Sequence, residues 1–180
     1  NTTIPHDEGW HFIQTGKALE RADKTTRVLD MLAYQGEPQR SRLASALRSC
    51  SAFSAFKAEC RGNFSLENAV SFLLFSPSFP RSVRFCMRQL DHHLHAISGS
   101  SPGSFTNEGE RLTGSSLAQL NFSSIGNVLQ VGYHSYIDSL QEQFNQIGQQ
   151  LFETYILLPL EIRSLRQNEP PHWQQHQQQQ

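Results

Sequence analysis

Gly9-Trp10-His11-Phe12-Ile13-Gln14-Thr15-Gly16-Lys17-Ala18-Leu19-Glu20-Arg21-Ala22-Asp23-Lys24-Thr25-Thr26-Arg27-Val28-Leu29-Asp30-Met31 is a proline-free run whose spacing predicts one long helix. Projected at about 100° per residue, Glu20, Asp23, Lys24 and Arg27 share one side. Trp10, Val28 and Leu32 share another, and Arg21 falls among them. Adjacent residues point about 100° apart, so Glu20 and Arg21 cannot serve the same spot. Glu20 has Lys24 and Arg27 as partners on its own helix. Arg21 has none there, and is expected to meet a carboxylate from another helix or from a partner. Two readings follow for Arg21: a structural ion pair, or a grip on a functional anion or partner protein.

Asp7 is the expected N-cap of this helix, with Glu8 favourable in its first turn. Gln35-Gly36-Glu37-Pro38 is the expected stop. A second helix is expected from about Gln39 to Glu59, with Leu43, Ala46, Leu47, Cys50 and Phe53 as its apolar stripe. Arg61-Gly62-Asn63-Phe64 reads as a turn, and Ser65 caps a short helix through Phe75. After Ser76-Pro77-Ser78 the next helix should begin at once. Phe79, Val83, Cys86, Met87, Leu90, Leu94 and Ile97 form its apolar face.

The opposite face of that helix carries Arg81, Arg84, Arg88, His92 and His95, a basic stripe about four turns long. Arg81 and Arg84 sit near the N-terminus, where the helix dipole disfavours cations by roughly 0.3–1 kcal/mol each. A local rule broken without visible compensation hints at function, although a solvated charged face explains it too. His92 and His95 have only Asp91 nearby and no second motif, so no metal is expected.

Ser98 to Gly109 is a breaker-rich loop, followed by a short, weak helix over Glu110–Leu120. The last helix is expected from about Asn127 to Leu158, with Ile137, Leu140, Phe144, Ile147, Leu151 and Leu158 as a bundle seam and Pro159 as its stop. The expected fold is all-α: an antiparallel bundle of four main helices with short extra ones, occupying residues 1–166. Residues 167–180 read as a disordered, glutamine-rich tail.

The 180 residues carry 15 Lys and Arg against 16 Asp and Glu, a formal net charge of -1. No general attraction to nucleic acid or to a membrane surface follows. No apolar run approaches a membrane span, and no secretory signal opens the chain. Three cysteines, Cys50, Cys60 and Cys86, show no metal-ligand spacing and suit a reducing cytoplasm. A phosphate-binding glycine loop, a nucleophile elbow, a zinc motif and a dinucleotide fingerprint are absent, so no cofactor is expected and no catalytic residue is assigned.

The pattern Gly16…Leu19-Glu20-Arg21-Ala22-Asp23…Thr26-Arg27-Val28-Leu29-Asp30 resembles the alpha-E family, bacterial helical proteins named for a Glu-Arg pair. Arg48-Ser49-Cys50-Ser51-Ala52-Phe53 and Phe79-Pro80-Arg81-Ser82-Val83-Arg84-Phe85-Cys86 resemble it too, joined by Arg61–Phe75 at the expected spacing. The resemblance covers Gly9 to Ile97 and, more loosely, Tyr136 to Leu158. It implies longer relatives with a similar helical segment ahead of this one, so that this chain would be their C-terminal part. It also implies a non-catalytic companion of ATP-grasp-type peptide or amide ligases, or of transglutaminase-like proteins. Self-association through uncovered apolar surface is then expected. The candidate binding residues are Glu20, Arg21, Arg27, Arg81, Arg84 and Arg88. Two alternatives stay open. One is an enzyme with Glu20 as acid/base and Arg21 plus Arg81 on an anionic substrate, which needs a concave site with a perturbed carboxylate and which a pocket lined by those residues would favour. The other is a scaffold whose charges are internal ion pairs.

Overall fold

The structure, a computed structural model, describes residues 6–34, 39–61 and 63–168. The fold is all-α, with no strand among the described residues. Helix α1 (Glu8–Ala33) opens as expected: Asp7 caps it, its carboxylate accepting from the Trp10 N–H at 3.0 Å. Its buried stripe is Thr15, Ala18, Ala22, Thr25, Thr26, Leu29 and Leu32. These are mostly small side chains, so the partner helix can lie close. The expected stop at 35–38 lies outside the described residues.

The second expected helix is two. Helices α2 (Arg40–Ser49) and α3 (Phe53–Glu59) are separated by Cys50-Ser51-Ala52. The Ala52 N–H bonds to the Leu47 carbonyl at 2.7 Å and the Ser51 N–H to that of Arg48 at 2.8 Å. This is the paired C-terminal closure in which one residue turns left-handed, usually glycine. Here Ser51 does so, at φ 55°. Helix α4 (Leu66–Phe75) is capped by Ser65 as expected and is buried along most of its length.

Helix α5 (Val83–Ser98) starts later than the sequence suggests, because Ser82 is its N-cap, accepting from the Phe85 N–H at 3.1 Å. Arg81 is therefore in the preceding turn, off the helix. Helix α6 (Glu108–Phe122) is longer than the short, weak element expected. Buried Glu110 holds the loop before it, accepting from Thr106 N–H and hydroxyl, Asn107 Nδ2 and Ser100 Oγ. The expected final helix is also interrupted. Helix α7 (Ile125–Val131) ends at Gly132, whose φ of 95° suits glycine, and α8 (Tyr133–Phe152) follows. A π-helical turn (Glu153–Leu157) then leads into α9 (Leu158–Asn168). Pro159 does not stop the chain. It is the second residue of α9 and follows directly on the π-helical turn, within an unbroken helical run. The tail beyond Asn168 lies outside the described residues.

Helices α1, α5, α6 and α8 pack around a common core, each antiparallel to its neighbours. His11 meets His93 while Thr25 meets Arg81, which runs α1 against α5. Phe12 meets Tyr155 beyond one end of α8, and Asp30 meets His134 at the other. Arg84 reaches Leu120, and Ser116 reaches Gln143, completing the ring. At the α6–α8 contact the Leu151 side chain packs against Gly109, where an added Cβ would stand 2.9 Å from Leu151 Cδ2. The four main helices thus differ from those expected: α6 belongs, and the α2–α3 region packs beside them. Met87, Leu90, Leu94, Leu120, Ile137, Leu140 and Ile147 are fully buried between them.

Candidate anion-binding pocket

Along its outer face, α1 sets Lys17, Arg21, Lys24 and Val28 in one row at helical spacing. Opposite that row stand Ser49 and Cys50 at the end of α2, and Arg81 in the turn before α5. Together with Glu20, Thr25 and Arg27 they enclose a pocket of about 500 Å³. Thr25 fixes the far wall: its buried hydroxyl donates to the Arg81 carbonyl at 2.9 Å.

Five cations and one carboxylate line this pocket. Glu20 pairs with Lys24 at 2.5 Å, and Arg27 pairs with Asp23 rather than with Glu20, at 2.8 Å. Among the described residues, Lys17, Arg21 and Arg81 make no ion pair with a carboxylate. The expected interhelical partner of Arg21 is thus not found there. Arg21 is exposed, because the buried stripe of α1 runs through Ala18, Ala22 and Thr25 and leaves Arg21 on its edge. Its field is still felt inside. Burial pushes the Cys86 thiol up to about 12, while Arg21 and Arg81 both pull the other way. Burial also raises the Cys50 thiol, opposed by a Ser49 hydrogen bond and by Arg81. Both shifts favour the protonated thiol. Glu20 is held below the usual carboxylate range by the Lys24 hydrogen bond, then by the charges of Lys24 and Arg21.

Glu20, Arg21, Arg27 and Arg81 therefore share one pocket. Arg84 and Arg88 do not. Arg84 turns toward the end of α6, where Nε donates to the Leu120 carbonyl at 3.1 Å and Nη2 to those of Leu120 and Ser123. It also lies over the Phe75 ring, 5.3 Å from its centroid. The dipole cost at the start of α5 is thus offset by the negative end of α6. Arg88 is exposed and donates to the Pro77 carbonyl at 2.9 Å. The basic stripe is not continuous: Arg81 is off the helix, Arg84 turns toward the last carbonyls of α6, and the His95 ring faces the Asp91 carbonyl one turn back, while Arg88 and His92 stay exposed. Lys17 and Thr25 were missed in sequence, although the row Lys17, Arg21, Lys24 has the spacing of one helix face.

Among the described residues no group of His, Cys, Asp and Glu is arranged to hold a metal ion, and no helix is long and apolar enough to cross a membrane. The family model Alpha-E, described as a predicted alpha-helical domain with a conserved ER motif, matches residues 1–156. No curated protein and no solved structure gives a significant match.

Proposed function

The chain belongs to the Alpha-E family, and from that premise we propose that its Glu20-Arg21 pair belongs to a non-catalytic anion-binding site. The site holds a carboxylate- or phosphate-bearing group, on a ligand or on a partner protein. The observation that carries this reading is the set Lys17, Arg21 and Arg81: three cations around one concave space, without carboxylate partners among the described residues. A guanidinium presents paired donors that match the oxygens of a carboxylate or phosphate, and two of the three are guanidiniums. Glu20 contributes by fixing Lys24 at the rim.

The same residues are those required for a Glu/Arg enzyme, so the carboxylate decides between the two readings. A general acid near neutral pH needs a raised pKa, commonly through burial. Glu20 is exposed, and its pKa is moved down. Binding without chemistry is the better reading. The family resemblance makes an ATP-grasp-type peptide or amide ligase, or a transglutaminase-like protein, the partner to look for.

Isothermal calorimetry with inorganic phosphate and with acetate tests the site. Wild type is expected to bind, more weakly at higher salt. The Arg21→Gln/Arg81→Gln variant should lose most of that affinity while melting normally, since both side chains are exposed. Equal affinity in wild type and variant would refute the reading.

A further inference from the structure

A cavity of about 410 Å³ lies between α5, α6 and the loop that joins them, and it shares no lining residue with the anion pocket. Helix α6 lines it with Glu110, Gly114, Ala118 and Phe122, one row at a spacing of four. Helix α5 adds Asp91 and His95, and the loop adds Phe105. Phe122 is 91% exposed and Phe105 59%, two aromatic rings left in water beside one cavity. Neither ring has a cation over it among the described residues. The cavity's charged groups are mostly taken up. Arg111 donates to Glu108 at 2.7 Å, and buried Glu110 accepts from the loop. Asp91 remains. Its carboxylate accepts no hydrogen bond among the described residues. Its ion-pair contact, His95 Nδ1, is 3.8 Å from Oδ1 and donates instead to the Asp91 carbonyl at 2.8 Å. Gly114 faces that carboxylate, with an added Cβ 3.8 Å from Oδ1, so this wall carries no side chain.

We infer that this cavity binds an organic cation: an alkylated ammonium group held by Asp91 and faced by Phe105 and Phe122. The ring faces carry partial negative charge and attract a cation, most strongly one that is weakly hydrated. Asp91 supplies the full charge. Burial raises its pKa, His95 opposes that and Glu110 adds to it, so a bound cation relieves a carboxylate that burial disfavours. The volume is that of a small-molecule pocket.

The test is a titration of the nitrogen-15-labelled protein, followed by nuclear magnetic resonance, with two probes at constant ionic strength. One is choline. The other is its neutral isostere, in which carbon replaces the ammonium nitrogen. In wild type, choline should give saturable shifts at the amides of Phe105, Gly114 and Phe122, and the isostere should bind about tenfold more weakly. Asp91→Asn keeps the shape and removes the charge; it should weaken choline by about tenfold and the isostere little. Phe122→Leu, at a position almost wholly in solvent, keeps the test open should the Asp91 variant fail to fold, and should weaken choline severalfold. Circular dichroism checks each fold. Inorganic phosphate should bind all three proteins alike, so this site and the anion pocket succeed or fail separately. Equal affinity for choline and the isostere would overturn the inference. So would an unchanged choline affinity in either folded variant, shifts gathered at other residues, or no saturable shifts at all.

Discussion

Thr25 and Arg81 stand 56 residues apart in sequence and are joined by a hydrogen bond of 2.9 Å, the Thr25 hydroxyl to the Arg81 carbonyl. The bond ties the turn before α5 to the helix that carries the Glu-Arg pair. It is the contact that makes Arg81 a wall of the pocket. Thr25→Val keeps the shape and removes the donor. We expect a loss of about 1–2 kcal/mol, because the carbonyl loses its partner in a partly buried place. Phosphate affinity should fall with it. Thermal melting and calorimetry on the same variant check both; a change in melting alone would mean that the bond is structural only.

Arg84 and Arg88 look alike in sequence and should behave differently. Arg84→Met removes charged hydrogen bonds to the last carbonyls of α6 and should cost about 2–3 kcal/mol. Arg88→Gln, on an exposed side chain, should stay within about 1 kcal/mol of wild type. Urea unfolding of the two variants measures the contrast. Neither change should alter phosphate binding, since neither residue lines the pocket.

Two histidines predict opposite pH slopes. Buried His93 has its pKa lowered from 6.5 to about 4, by burial first and then by His92 and His11. Between those values the unfolded chain binds the extra proton, so stability should rise with pH from about 4 to 6.5. His134 is raised above 6.5 by its hydrogen bond to Asp30 and by the charge of Asp30. Its contribution is complete below the unfolded pKa and fades as pH climbs through the folded one. Melting temperature against pH should therefore climb and then fall, with His93→Gln flattening the acid limb and His134→Gln the other.

The C-terminal segment leaves a band of apolar side chains in solvent. Phe152, Ile156, Leu158 and Leu160 are each about half exposed. We expect apparent mass to rise with concentration in light scattering, and an Ile156→Lys/Leu160→Lys variant to suppress the rise. A mass that stays monomeric throughout would mean that this band does not drive association.

Much of the fold was legible because its signals are local. Asp7 and Ser65 cap as read, and the apolar faces of α5 and α8 follow their spacing. The errors have physical causes. The buried stripe of α1 is mostly alanine and threonine, which carry little hydrophobic signal, so the side that Arg21 shares with Val28 reads in sequence as more buried than it is. Ser51 ends α2 in a conformation that usually advertises itself through glycine. Pro159 passes because a π-helical turn precedes it. Helix α6 looked weak since its packing face includes Gly109, Thr113 and Ser116. Glu20, Arg21, Arg27 and Arg81 are candidates on sequence alone, and all four line the pocket. Their convergence was not legible, because it depends on where α5 begins and on a long-range hydrogen bond to Thr25.

The most direct measurement is nuclear magnetic resonance of the nitrogen-15-labelled protein titrated with inorganic phosphate. The account predicts saturable shifts centred on the amides of Lys17, Arg21, Thr25, Ser49 and Arg81, and their loss in Arg21→Gln/Arg81→Gln. Shifts gathered instead around Arg88 and His92, or no saturable shifts at all, would contradict it.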